Sequence, residues 1–118
     1  MAKKNPQATR TFSDIHEKSV CKALGAKQTS NSGAGNFRKG DCVQKPASLL
    51  IECKTTMTVK ESVSIKKEWL DKNKEESFKM RLENSCVCFN FGPETPNYYV
   101  ISEKLMRFLV EKLEEENE

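Results

Sequence analysis

A chain of 118 residues, 36% hydrophobic and 31% charged, has room for one compact core and reads as a single domain. No apolar run approaches the roughly 18 residues of a membrane span, and the start Met1-Ala2-Lys3-Lys4-Asn5-Pro6 lacks the apolar core of a signal peptide, so a soluble cytoplasmic protein is expected. The net charge of +3 conceals an asymmetry: residues 1–60 carry eleven Lys and Arg against four acids, whereas residues 61–118 carry nine against thirteen. A basic half points to a polyanionic partner, and the acids kept within it, Asp14, Glu17, Asp41 and Glu52, would repel such a partner unless a cation lay between them.

Residues 1–11 read as a flexible basic arm carrying Lys3, Lys4 and Arg10, residues 12–113 as the single domain, and residues 114–118 as an acidic tail that frays. The first helix is expected to begin between Thr11 and Asp14, each able to cap it, and to stop at Gly25. At 100° per residue Phe12, Ile15, His16, Val20, Ala23 and Leu24 form its apolar stripe, with Glu17 at the margin. Residues 28–36 hold turn formers and no large apolar side chain, which makes a loop. A short strand follows over 37–43, then a turn through Pro46. Residues 48–56 are apolar on both faces before becoming charged, as in a central strand whose polar atoms emerge at its C-terminal end.

A second helix is expected over 64–80, with Ile65, Trp69, Phe78 and Met80 in a broken apolar stripe and a lysine-rich opposite side; Trp69 reads as core. Strands over 85–91, stopped by Gly92-Pro93, and over 98–101 precede a final helix opened by Ser102 and Glu103. The fold class is therefore α/β (α+β), a central mixed five-stranded sheet flanked by helices in the order α-β-β-β-α-β-β-α. Five cysteines, an odd number, are expected to stay reduced. Cys86 and Cys88 have C-x-C spacing with His16 distant in sequence, and they read as small apolar residues on one face of a strand rather than as zinc ligands.

The chemistry is concentrated in Gly40-Asp41, a ten-residue spacer, and Glu52-Cys53-Lys54. Alternation along a strand sends Glu52 and Lys54 to one face and Cys53 to the other, and a hairpin through Pro46 sets Asp41 beside Glu52. Two carboxylates fixed by a sheet suit a hard cation such as Mg2+ or Mn2+, and the lysine brings positive charge to the same edge.

In these residues the chain resembles the PD-(D/E)XK nuclease superfamily, whose pattern is an acid at a strand end, a variable spacer and E-x-K on the next strand. The order of a helix acid, a Ser/Gly-rich loop, G-D, a hairpin, an apolar strand ending in E-x-K and a basic helix is similar to that of small Holliday junction resolvases of archaea and phages, over roughly residues 12–113. The resemblance implies a magnesium-dependent endonuclease, bacterial, archaeal or phage-encoded, that hydrolyses phosphodiesters in branched DNA as a homodimer with no small-molecule cofactor. It assigns catalysis to Glu17, Asp41, Glu52 and Lys54. Asp41, Glu52 and the Cys53 main-chain carbonyl would hold the metal, Glu17 would complete a second metal site or orient the attacking water, and Lys54 would position that water. The loop with Ser30, Ser32 and Gly33 would approach DNA near the cut. Lys3, Lys4, Arg10, Arg38, Lys39, Lys66 and Lys67, with Lys45 and Lys60, are candidate phosphate contacts.

Each piece also has a plainer reading: Glu17 as the N3 acid of a cap at Asp14, Gly40-Asp41 as a turn, Lys66 and Lys67 as a solvated face. The competing functions are a nicking or restriction-like nuclease on duplex or single strands, a non-catalytic nucleic-acid-binding module, and an interaction protein whose acidic C-terminal helix docks a basic partner.

Overall fold

The computed structural model describes residues 6–29 and 41–118, with side chains from Thr11 onward. They form α1 (Pro6–Leu24), β1 (Lys27–Gln28), β2 (Asp41–Gln44), β3 (Leu49–Lys54), α2 (Lys67–Lys79), β4 (Asn84–Phe89), β5 (Tyr98–Val100) and α3 (Glu103–Glu116). This is the expected α+β order on a mixed five-stranded sheet. The strands lie side by side in chain order; β3 and β4 are parallel and the other neighbours antiparallel. A parallel pair requires a crossover, which α2 supplies, while β2 and β3 are joined by a tight turn in which Ser48 N donates to Lys45 O at 2.9 Å.

Side-chain alternation gives the two faces of the sheet different chemistry. Cys42, Leu49, Ile51, Cys53, Cys86 and Cys88 pack with Val20, Cys21 and Leu24 of α1 to make the core. The opposite face carries Asp41, Leu50, Glu52, Lys54, Val87 and Phe89, and α2 lies over it with its Trp69 ring beneath the Lys54 ammonium. All five cysteines are free thiols gathered on the α1 side, with Cys42, Cys86 and Cys88 buried as small core residues.

Several boundaries differ from the sequence reading. α1 begins at Pro6 rather than at Thr11 to Asp14, so the second half of the expected basic arm is its opening; proline suits a first helical turn and Gln7, Ala8 and Arg10 are good helix formers. The buried side of α1 is rotated from the expected stripe. His16, Glu17 and Val20 are buried whereas Ile15 and Ala23 are exposed, because the helix docks through Val20, Cys21 and Leu24 and carries Glu17 inward with them. Gly25 ends the helix as expected, at φ +63°, and Ala26 N donates to Cys21 O at 2.9 Å in the bond that closes such a terminus.

The two-residue β1 lies partly in the segment read as loop and is held by pairing with β2. Of the strand expected over 37–43, residues 37–40 lie outside the described residues. α2 starts at Lys67 instead of residue 64, its N-cap Lys66 offering no side-chain cap, and Phe78 and Met80 are not part of its packed stripe: Phe78 is 82% exposed. The residues α2 buries are polar, Asn73 and Ser77, with Trp69 only half-buried. The tail expected to fray is helical to Glu116, since glutamate is a strong helix former and Lys112 pairs with Glu115 at 3.3 Å.

Beyond β3 the chain returns across the C-terminal ends of the parallel strands. Thr55 Oγ1 donates to Asn90 Oδ1 at 2.7 Å and Lys60 N donates to Phe91 O at 2.8 Å. Gly92 permits this crossing. It sits at φ +126°, and a Cβ there would lie 2.7 Å from Val59 Cα and 2.8 Å from the Thr58 carbonyl oxygen. Gly92→Ala is therefore expected to lower stability by roughly 2 kcal/mol or more, read as a lower urea midpoint with an unchanged slope. A midpoint equal to wild type would show that this crossing yields without cost.

Candidate active site

The short turn between β2 and β3 sets their register and pairs Asp41 directly with Glu52. Residues directly opposite in an antiparallel pair point to the same face, so the two carboxylates share one side of the sheet at the end of β3 where Lys54 also emerges. Asp41 is 4% exposed, and its carbonyl accepts from Thr29 N at 3.0 Å and Thr29 Oγ1 at 3.3 Å, which fixes the start of β2. Lys54 Nζ lies 3.7 Å from Glu52 Oε1 and 4.7 Å from the Trp69 ring centroid. Between a carboxylate and an aromatic face, the ammonium is held over the site rather than left to swing in solvent.

Glu52 is under electrostatic tension. Burial pushes its carboxyl above the ordinary value of 4.5; Lys54 and Lys72 pull it down, and Glu76 of α2 pushes it up. Glu52 Oε2 is buried without a hydrogen-bond partner. A buried carboxylate oxygen with an unmet lone pair, opposite a second buried carboxylate, is an environment that a cation would relieve.

The structure sets Asp41, Glu52 and Lys54 on one face of the sheet. Glu17 is 3% exposed and lies on the α1 side: its main-chain carbonyl accepts from Cys42 Sγ at 3.5 Å, and its carboxylate opposes ionisation of Cys21, Cys42 and Cys53. Among the described residues no group of three or more His, Cys, Asp or Glu side chains is placed to hold a metal ion. Asp41 and Glu52 are the two carboxylates, hard-oxygen donors, that the sheet sets directly opposite each other. Lys66 and Lys67 are exposed at the start of α2; Lys66 lies 5.9 Å from the Trp69 centroid and Lys67 pairs with Asp71 at 2.8 Å. Lys45 and Lys60 are exposed. Lys3, Lys4, Ser30, Ser32, Gly33, Arg38 and Lys39 lie outside the described residues, as does the side chain of Arg10.

Two groups of residues escaped the sequence reading. Trp69, Lys72 and Glu76 act on the site from α2, and their spacing of three and four residues is the signal that places them on one helix face. On the α1 side the cysteines touch one another: Cys21 Sγ donates to Cys42 Sγ at 2.6 Å, and hydrogen bonding from Cys53, then from Cys21, draws Cys42 down to about 7, while burial foremost raises Cys21 to about 12. His16, remote in sequence from the C-x-C pair, has Nε2 3.7 Å from Cys88 Sγ and 3.1 Å from Asn97 Oδ1.

Compared with known proteins, the chain matches no family model, no curated sequence and no solved structure.

Proposed function

We propose that this protein is a magnesium-dependent DNA endonuclease acting on branched DNA such as a four-way junction. The observation that carries the reading is the direct opposition of Asp41 and Glu52 across β2 and β3, with Lys54 against Glu52 on the same face. The PD-(D/E)XK resemblance supplies the reaction class; the site supports it with an acid pair, a neighbouring ammonium and one unsatisfied carboxylate oxygen.

In this reading Asp41 and Glu52 hold magnesium, which accounts for carboxylates inside a surface that meets phosphate. The bound cation would make water a stronger nucleophile and neutralise charge on the scissile phosphate. Lys54, kept in place by Trp69, donates to the attacking water or to the phosphoryl oxygens as negative charge accumulates. Burial of Asp41 and half-burial of Glu52 lower the local dielectric and strengthen each of these interactions. Glu17, buried on α1 beside β2, would complete a second metal site or orient the attacking water. The basic residues of the first half attract the DNA backbone without reading its sequence.

The test offers purified protein and magnesium a labelled four-way junction, a matched duplex of the same sequence and a single strand. Cutting of the junction in preference to the other two is expected. Cutting of duplex or single strand with equal efficiency would keep the chemistry and replace the substrate, and cutting of none would remove the catalytic reading in favour of a DNA-binding module.

A further inference from the structure

α3 is amphipathic yet buries no residue against the rest of the chain. Five of its apolar side chains, Leu105, Met106, Leu109, Val110 and Leu113, recur at helical spacing on one stripe, while Phe108, 52% exposed, lies off it. Met106 is 51% and Leu113 60% exposed, and Leu109 and Val110 are exposed as well. A continuous apolar stripe on a helix about 21 Å long, at 1.5 Å per residue, is the kind of surface that soluble proteins cover.

The charges on α3 indicate what covers it. Its first half carries Lys104 and Arg107 with Glu103, and its second half carries Glu111, Glu114, Glu115 and Glu116 with Lys112. A surface with more acids than bases is unsuited to DNA or to an anionic membrane, and membrane-surface helices are typically rich in Lys and Arg on their polar side. It is complementary to itself when reversed. Two copies packed antiparallel bring each acidic end beside the other copy's Lys104 and Arg107 and oppose their helix dipoles, whereas parallel packing would stack acid on acid.

We infer that α3 is the interface of a homodimer in which two copies pack antiparallel about a two-fold axis near Leu109. The axis sets Leu105 against the partner's Leu113 and Leu109 against the partner's Leu109, an isologous contact that closes at two subunits. Arg107 flanks the stripe and reaches the partner's Glu114. Its present ion pair with Glu103, 3.6 Å long and solvent-exposed, is weak enough to yield to that contact. The inference does not depend on the nuclease reading, because it uses α3 alone and is tested without DNA.

The experiment is light scattering on the full chain after size exclusion, across roughly 1–100 µM, with circular dichroism as the check on helix content. A mass near twice 13.4 kDa is expected at the upper end of the range. Leu109→Lys is expected to give a monomer with native helix content, since Leu109 is 41% exposed on a helix with no buried residue. Arg107→Glu is expected to weaken association by about tenfold or more, two symmetry-related contacts being lost, and the double variant Arg107→Glu/Glu114→Arg to restore it. A wild-type monomer throughout the range, including one captured by anionic vesicles, would overturn the inference. So would a folded Leu109→Lys variant that still dimerises, or a double variant no tighter than Arg107→Glu, which would place the contact or its polarity elsewhere.

Discussion

Glu52→Gln is expected to make the metal-free protein more stable at neutral pH while abolishing magnesium-dependent DNA cleavage. The gain follows from the raised carboxyl of Glu52. A carboxyl whose folded value lies above its unfolded value ionises more readily in the unfolded chain, so its contribution to stability is fully present only below the unfolded value and is lost as pH rises through the folded one. Where it is ionised, the folded wild type carries a half-buried charge with one oxygen unsatisfied. An amide of the same shape removes that charge, and about 1 kcal/mol, or roughly 4 °C in Tm, is the expected scale of the gain. Repeating the melt well below pH 4.5, where the carboxyl is protonated in the folded and the unfolded chain alike, should erase the difference. DNA binding without metal should be retained or tightened, because a repulsive charge has left a phosphate-facing surface. A variant less stable than wild type at neutral pH would mean that Glu52 is already satisfied in the folded protein and needs no cation.

Lys54→Ala is expected to lower the cleavage rate by about 10²–10³ with junction affinity nearly unchanged, the pattern of a group that acts mainly in the transition state. It has a second signature. Lys54 holds the Glu52 carboxyl down, so its removal should move the acidic limb of the rate profile toward higher pH. Trp69→Leu should reproduce a weaker form of both effects by removing the ring beneath the ammonium while leaving the charge present. Unchanged turnover in Lys54→Ala would take the lysine out of the mechanism, and a loss confined to affinity would make it a phosphate contact.

The parts of this site that were legible in the sequence are those governed by local geometry. The strand period puts Glu52 and Lys54 on one face, and a hairpin through Pro46 has few registers available, so Asp41 opposite Glu52 followed from spacing alone. The helix stop at Gly25 and the cap at Ser102, whose Oγ accepts from Leu105 N at 3.1 Å, were legible for the same reason. What depended on docking was not. Glu17 falls inside the buried side of α1 because the helix turns on Val20, Cys21 and Leu24, and counting apolar residues gives Ile15 the same weight although it faces away. The polar contacts of α2 with β3 could not be read from a pattern that searches for apolar stripes; the spacing of Trp69, Lys72 and Glu76 puts them on one helix face, but only the fold shows that this face meets Glu52 and Lys54. β1 consists of two polar residues whose strand character exists only through β2. The apolar stripe of α3 was visible in the sequence, but its lack of any buried residue required the fold.

The claim on which the functional reading stands is that Asp41 and Glu52 together bind a divalent cation. Calorimetric titration of magnesium or manganese into the DNA-free protein, repeated on Asp41→Asn and Glu52→Gln, measures it without reference to catalysis. A saturable binding event in the wild type that disappears in both variants is the predicted result. Equal binding in all three proteins would place the ion elsewhere and contradict the account, as would the absence of binding in a wild type that nonetheless cuts DNA.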